Sequence, residues 1–383
     1  MSVWDELLGQ PEAIEQLTRV VSGKSEGFHH SWLLTGPAGS GRSTMARAFA
    51  AALQCDENGC GSCQSCNLVL AGAHPDVRLL ATERVIISID EVRDLVQFAA
   101  MSSSVGQYRV VIIEDADRMA ERTSNVLLKA LEEPQERTVW ILCAPSAADL
   151  LPTIRSRTRN ISLRLPSNEE VARLLIERDG IDPEAAHSAA RQAQQHVGMA
   201  RRLALSSEAR ARRSETLREL SSIKNLSGAM LAAERLLAVA KKDAEALSTE
   251  KDEAEKAGLM RAYGLSPEDK LPPAIRKEFR ELEENQKRRN TRALRDGIDR
   301  VFTDAESYFR DVLSVQLGTD APLVNQEMQG KIVTRAQQTK SMQSVEILDS
   351  IKVARKRLDS NVRDLLVLEA LCAKLIFRSE IAA

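Results

Sequence analysis

An apolar stretch, Trp32 to Thr35, runs straight into Gly36-Pro37-Ala38-Gly39-Ser40-Gly41-Arg42-Ser43, and a helical pattern follows at once. Few features constrain a fold more tightly. Glycines let the backbone curl until its N–H groups face a phosphate, and the N-terminus of the helix behind them adds partial positive charge. Strand, glycine loop and helix in that order call for an α/β fold with a phosphate-binding loop. The surrounding sequence agrees: from about Ser31 to Leu165, short apolar runs alternate with longer helical patterns, the signature of a parallel sheet. Strands are expected at Trp32–Thr35, Val77–Leu80, Arg109–Ile113, Val139–Cys143 and Ile161–Leu165.

Gly36, Gly39, Gly41, Arg42, Ser43 and Thr44 are the candidate nucleotide-binding residues of the loop, with Ser43 placed to ligate Mg²⁺. Arg42 stands where lysine is usual. A lysine reaches the β and γ phosphates as a compact point charge, whereas arginine is larger and planar, so the exchange is not conservative. Two readings follow: the loop binds ATP, or it is a relic that no longer does. A second candidate is the acidic strand end, where Val110–Ile113 is followed by Glu114, Asp115, Ala116 and Asp117. In that position one carboxylate holds Mg²⁺ and the next polarises water. The usual order is Asp then Glu. Here it is reversed, and Asp115 falls one methylene short of where a water-activating glutamate reaches. A misplacement of about 1 Å costs on the order of a hundredfold in rate, which argues against hydrolysis. The alternative is that these acids merely end a strand.

Cys55, Cys60, Cys63 and Cys66 form C-x4-C-x2-C-x2-C, close enough to complete a tetrahedral Zn²⁺ shell, with Gly59 and Gly61 supplying the tight turns. Four thiolates leave no open position for water, so such a zinc is structural; a redox pair is the competing account. Cys143 and Cys372 stand alone in apolar runs and read as buried, inert thiols. His74 reads as a turn residue.

A chain of 383 residues exceeds what one hydrophobic core usually supports, so two or three domains are expected. With only 3% aromatic residues it is poorly suited to stacking single-stranded bases. A net charge of -2 provides no whole-chain positive field to draw nucleic acid or membrane, so any DNA contact is local or shared with partners. No apolar run is long enough to cross a bilayer, and the first ten residues do not form a secretory signal; the expectation is a cytoplasmic protein. After Pro166 the strand signals fade. Ser167 and Glu170 form a capping-box pattern opening a helix to about Asp179, and a small helical domain is expected from Pro166 to about Leu205. The remainder is helical, with apolar spacing of three and four over Ile298–Leu317 and Val345–Phe377. Residues Lys241 to Asn290 are dense in charge and broken by Gly264, Pro267, Pro272 and Pro273. They suit either a solvated helical hairpin or a partly disordered insert.

Taken together the pieces resemble the AAA+ clamp-loader family. The resemblance rests on Trp4–Gln10 (WDELLGQ), the phosphate loop, the cysteine knuckle and Ala73-His74-Pro75-Asp76. It continues through Val111–Asp117 (VIIEDAD), Asn125–Pro134 (NVLLKALEEP) and Leu151–Arg157 (LPTIRSR). It covers residues 1–205 strongly and the rest weakly, through Asn361–Glu369 (NVRDLLVLE), which is similar to the family's collar helix. It implies a 1–165 AAA+ α/β domain with the knuckle (55–66) inserted, a 166–205 helical lid domain and a 206–383 all-α collar with the charged insert at about 241–290.

The family ends its α/β domain with Ser-Arg-Cys, whose arginine enters the neighbour's nucleotide site. Ser156 and Arg157 match and Thr158 replaces the cysteine, making Arg157 the candidate arginine finger in trans, against the alternative of a surface ion pair. Where the family's ATPases place a polar sensor, this chain has Cys143, Ala144 and Pro145. Gly198-Met199-Ala200-Arg201 is similar to the second sensor, with Arg201 or Arg202 as the phosphate-facing residue. The implied partners are gamma/tau-type and delta clamp-loader subunits, the sliding clamp and primed DNA. The implied role is a ring subunit of the DNA polymerase III complex that does not itself hydrolyse ATP; the rival is an ATP-hydrolysing motor subunit of gamma or tau type. A zinc-dependent DNA-binding module finds no basic recognition helix to support it.

Overall fold

A computed structural model describes residues 2–5, 7–23, 28–82, 85–262, 276–360 and 362–376. The chain divides into two compact units, Met1–Ala204 and Leu205–Ala383. The first contains α1 (Pro11–Val21), β1 (Ser31–Thr35), α2 (Arg42–Leu53), α3 (Gln64–Leu70), β2 (Val77–Leu80), α4 (Ile89–Ala99) and β3 (Arg109–Ile113). It continues with α5 (Glu121–Glu132), β4 (Thr138–Ala144), α6 (Pro152–Arg155), β5 (Arg159–Ser162), α7 (Asn168–Asp179), α8 (Pro183–Gln192) and α9 (Val197–Leu205).

The five strands form one parallel sheet in the order β2-β3-β4-β1-β5. β1, β3 and β4 are buried along their whole length, which is why their sequences are apolar at every position or nearly so. One face packs α1, α2 and α3 through Leu17, Met45 and Phe49; the other packs α4 and α5 through Val92, Leu95 and Leu127. Trp32 and Trp140 are both fully enclosed.

Four strands fall where apolar runs place them, within a residue or so. The fifth does not: it is Arg159–Ser162, with only Ile161 of the four buried, rather than Ile161–Leu165. Its pairing with β1 starts at polar residues, through Trp32↔Arg159 and a bond from the Thr35 hydroxyl to Asn160 Oδ1 (3.0 Å). Beyond it, the Arg164 N–H donates to Gln10 Oε1 (3.1 Å) and the Arg164 carbonyl accepts from Gln10 Nε2 (2.6 Å), which occupies the groups a longer strand would use. The same Nε2 also donates to the Ser40 carbonyl (3.1 Å), so one buried amide ties the start of α1 to the glycine loop and to the exit of the sheet.

The capping box at Ser167 and Glu170 is present, and α7 stops where Gly180 takes a left-handed conformation at φ 66°. Arg164 also pairs with Glu170 (2.9 Å), and that bond holds the Glu170 carboxyl down to about 2. Asp182 caps α8, with Pro183 as its first residue.

His74 is buried and its Nδ1 accepts the Asp76 N–H (3.1 Å), a turn as expected. Asp76 is fully buried and accepts bonds from the N–H groups of Ser104, Val105 and Gly106, all at 2.7 Å. Burial alone would raise its pKa; these bonds and the Ser104 hydroxyl outweigh it and bring the carboxyl to about 2.

The second unit is helical: α10 (Ser207–Ser222), α11 (Leu226–Ala262), α12 (Arg276–Gln316), α13 (Gln329–Gln338), α14 (Ser341–Asp359) and α15 (Asp364–Lys374). Its core gathers Phe302, Tyr308, Phe309, Ile351 and Leu368. Some of its buried polar groups are paired. Arg213 pairs with Asp304 (3.2 Å) and Glu327 (2.7 Å), and Asn325 donates to Asp311 (2.8 Å). The apolar run 345–377 is two helices rather than one, with α14 ending at Asp359 and α15 starting at Asp364; Phe377 lies outside the described residues. Of the charged stretch, 241–262 and 276–290 lie within α11 and α12, and 263–275 fall outside the described residues. Asp252 binds Arg289 across the two helices, and Met260 and Phe279 are buried, so the described part is a helical hairpin.

Replacing Gln10 with alanine leaves the Ser40 carbonyl and both Arg164 backbone groups without this partner, an expected loss of about 1–3 kcal/mol. Hydrogen exchange checks it: the Arg164 amide should exchange faster while Trp140 in β4 keeps its protection.

Candidate nucleotide site and metal centre

The glycine loop, the start of α2 and the helices after Pro166 enclose a cavity of about 420 Å³. Gly39, Gly41, Arg42, Ser43, Thr44 and Arg201 all line it. Gly36, Glu114 and Asp115 do not, and of the two arginines considered for the second sensor it is Arg201 that faces it. Among the described residues no side chain caps α2, whose N-cap Gly41 is left-handed (φ 87°). Its first N–H groups are therefore available to an anion, the usual chemistry of a helix start. Ser40 is buried and its hydroxyl has no partner.

His196 closes the other side. A side-chain carbon on Gly39 would come within 2.8 Å of the His196 Cα, so only glycine fits beneath that turn. Gln194 and Gln195, just before it, have φ 48° and 71°, conformations that cost of order 1–3 kcal/mol each outside glycine. Arg178 and Arg201 share one carboxylate, Asp179, at 2.9 and 3.2 Å. Arg178 above all holds that carboxyl below its ordinary value.

The acidic strand end is turned to arginine rather than to the cavity. Arg42 bonds the Gly36 carbonyl and lies 3.9 Å from Asp115. Arg118 approaches the same carboxylate at 3.6 Å, and Arg47, one turn further along α2, reaches Glu114 at 3.4 Å. Asp115 itself is left-handed (φ 51°). Asp117 is pushed upward by burial and by the nearby Asp115 charge. These oxygens do not form an open Mg²⁺ site facing the loop. At the end of β4, where the resemblance sets a sensor, burial pushes the Cys143 thiol up to about 12; it lies 3.9 Å from the Arg42 carbonyl, and the Gly36 N–H donates to the carbonyls of Ala144 (3.3 Å) and Pro145 (3.1 Å). A neutral buried thiol does not orient an attacking water. The arginine pairing and the Gln10 clamp escape a motif reading because their partners are distant in sequence.

Arg157 follows α6 at the surface. It donates to the Thr153 carbonyl (2.7 Å) and pairs with Glu132 at the end of α5. The two side chains are 32% and 46% exposed, so the pair contributes at most about 1 kcal/mol and restrains the guanidinium weakly.

The four cysteines converge between α2 and α3, with all sulfur atoms within 4.8 Å of one another. Cys55 and Cys63 are 3.7 Å apart, close to the roughly 3.8 Å edge of a tetrahedron with Zn–S near 2.3 Å. The N–H groups of Cys60, Cys63 and Cys66 point at the sulfurs of Cys55, Cys60 and Cys63 at 3.4, 3.3 and 3.4 Å. The Ser62 N–H and hydroxyl bring Cys60 down to about 6, whereas burial raises Cys66. The cluster is compatible with a structural zinc, which these four thiolates would hold. It is tied to the N-terminal segment by the bond from Val3 N–H to the Gly59 carbonyl (3.0 Å), and Gly59 is left-handed (φ 104°) with Val3 pressed against it.

A parallel five-stranded sheet with a glycine loop after β1 and acids after β3, followed by α7–α9 and a helical second unit, defines an AAA+-type α/β architecture. Residues 9–167 match the family model described as DNA polymerase III, delta subunit. The chain is similar to DNA polymerase III subunit delta' of Pseudomonas aeruginosa, 41% identical over 143 residues that cover 36% of this chain and 44% of that protein. It is also similar to DNA polymerase III subunit gamma/tau of Mycobacterium tuberculosis, 32% identical over 143 residues, covering 36% of this chain and 25% of that one. The match thus spans less than half the length of either relative. A solved gamma subunit-related protein of Thermotoga maritima aligns over 95% of this chain and 98% of its own at 19% identity and a TM-score of 0.42.

Protein purified under reducing conditions should carry about one zinc per chain by elemental analysis, since the four thiolates close a single shell. Stripping it with a strong chelator should release amide protection over residues 55–66 and at Val3, and leave β3 and β4 protected, because the metal contributes folding free energy locally.

Proposed function

We propose that this chain is a delta-prime-like subunit of the DNA polymerase III clamp-loader complex, which loads the sliding clamp on primed DNA during replication. In this reading residues 1–165 are the AAA+ domain, 166–205 the lid and 206–383 the collar, and the protein works in the cytoplasm. Gamma/tau-type and delta subunits are its neighbours. Arg157 is donated in trans to the ATP site of a gamma- or tau-type neighbour, where a guanidinium stabilises charge on the transferring phosphoryl group. The loop of this chain takes ATP without turning it over.

The observation that carries the reading is the state of the chain's own site. Glu114 and Asp115 are engaged by Arg47, Arg42 and Arg118, and a buried thiol fills the sensor position. Catalysis there lacks a free water-polarising base. Arg157, in contrast, is partly exposed and weakly held, as a group must be that exchanges one carboxylate for a neighbour's phosphate. The similarity to delta' proteins supports the same assignment, at higher identity than that to gamma/tau.

Arg157→Ala should leave the chain folded and lower DNA-stimulated ATP hydrolysis of the reconstituted assembly by about tenfold or more, less than the roughly 10³–10⁵ an arginine finger supplies at a single site, because the assembly holds other sites. Steady-state hydrolysis with clamp and primed DNA measures it, and unchanged turnover removes Arg157 from the role. Turnover by the isolated chain, lost on changing Asp115, would instead make it a motor subunit.

A further inference from the structure

The cavity beside the glycine loop has an unusual charge inventory. Its lining includes Arg42, Arg178, Arg201 and His196, and none of its lining residues is a carboxylate. Beside it, Asp179 is shared by Arg178 and Arg201, and Asp115 by Arg42 and Arg118, while Asp117 is buried with its Oδ1 unpartnered. Glu114 is taken by Arg47. A divalent cation needs several hard oxygen ligands; Glu114, Asp115, Asp117 and Asp179 all lie outside the cavity lining, and three of them are paired with guanidinium groups. The excess positive charge has the sign that suits phosphate.

The rest of the lining fits a nucleoside polyphosphate. The first N–H groups of α2 open onto the cavity, and the buried Ser40 hydroxyl in its wall is without a partner. Leu7, Leu8, Pro166 and Val197 make the remaining wall apolar, as a base requires. A volume of about 420 Å³ lies within the range of small-ligand sites.

We infer that this cavity binds a nucleoside di- or triphosphate without a divalent cation, arginine charge standing where metal charge would. Arg42 is the centre of the exchange. Its guanidinium lies between the loop, through the Gly36 carbonyl, and Asp115, so the residue that replaces the usual lysine also covers the usual metal ligand. A planar fork of N–H donors binds phosphate oxygens in pairs, whereas a lysine meets them as a single point charge. The inference rests on the reading of this loop as a nucleotide site and is independent of Arg157.

Titration calorimetry of the full, zinc-loaded chain with ATP and with ADP, in excess Mg²⁺ and in buffer freed of Mg²⁺ without added chelator, tests it. Binding should be at least as tight without Mg²⁺ as with it. Arg42→Ala should weaken it about tenfold or more in both buffers, equivalent to losing one charge-assisted contact. Arg201→Ala, a half-exposed position on α9 whose loss spares the core, should weaken it in the same sense; thermal melting confirms that both variants are folded. Tighter binding in Mg²⁺ by more than about twofold overturns the metal-free mode and keeps the nucleotide site. Unchanged affinity in both folded variants overturns the arginine assignment. Absence of ATP, ADP and pyrophosphate binding at millimolar concentration overturns the nucleotide reading as well.

Discussion

The hydrogen-bonded position of β4 between β1 and β3 governs the first unit. Because β4 intervenes, the glycine loop at the end of β1 and the acids at the end of β3 are separated by a strand's width on each side. What fills the gap at the strand ends is decided by Cys143 and Ala144, both buried, and by Pro145. The Gly36 N–H is held by the last two carbonyls of that segment, so the loop starts from a fixed point. The helix α2, which begins at the loop and runs back over the sheet, carries side chains that bridge the separation. Arg42 and Arg47 do so, and Glu114 and Asp115 end up paired with the helix rather than open to the cavity.

Much of this was legible in the sequence, for reasons that differ by element. β1, β3 and β4 are covered on both faces and so are written as apolar runs. β5 lies at the sheet edge with one buried residue, Ile161, and an apolar reading slides past it towards Leu163 and Leu165. The cysteine cluster was legible because all four ligands lie within one short segment and metal chemistry leaves few choices of residue. Gln10 shows the opposite case: its three bonds go to Ser40 and Arg164, 30 and 154 positions away, and no local pattern signals such a clamp. Arg157 could be singled out only through resemblance, since an arginine after a short helix has no spacing rule of its own.

The second unit shows where composition runs out. Charge density over 241–290 fits both a solvated hairpin and a disordered insert, because both avoid burying apolar surface. The choice falls to a few residues scattered in that charge. Met260 and Phe279 are buried, and Asp252 takes Arg289, the carbonyl of the same residue accepting from Gln286 (2.9 Å). Sparse apolar contacts combined with cross-helix polar ones give a weak periodic signal and a definite structure.

Gly39 and His196 have a mechanical consequence. Their backbones approach closely enough that no side chain fits between them, and the turn carrying His196 is already strained at Gln194 and Gln195. Stiff backbone in direct contact passes on a displacement that a flexible side chain would absorb, so a shift of the glycine loop towards the turn would have to be met by the turn and by α9 behind it.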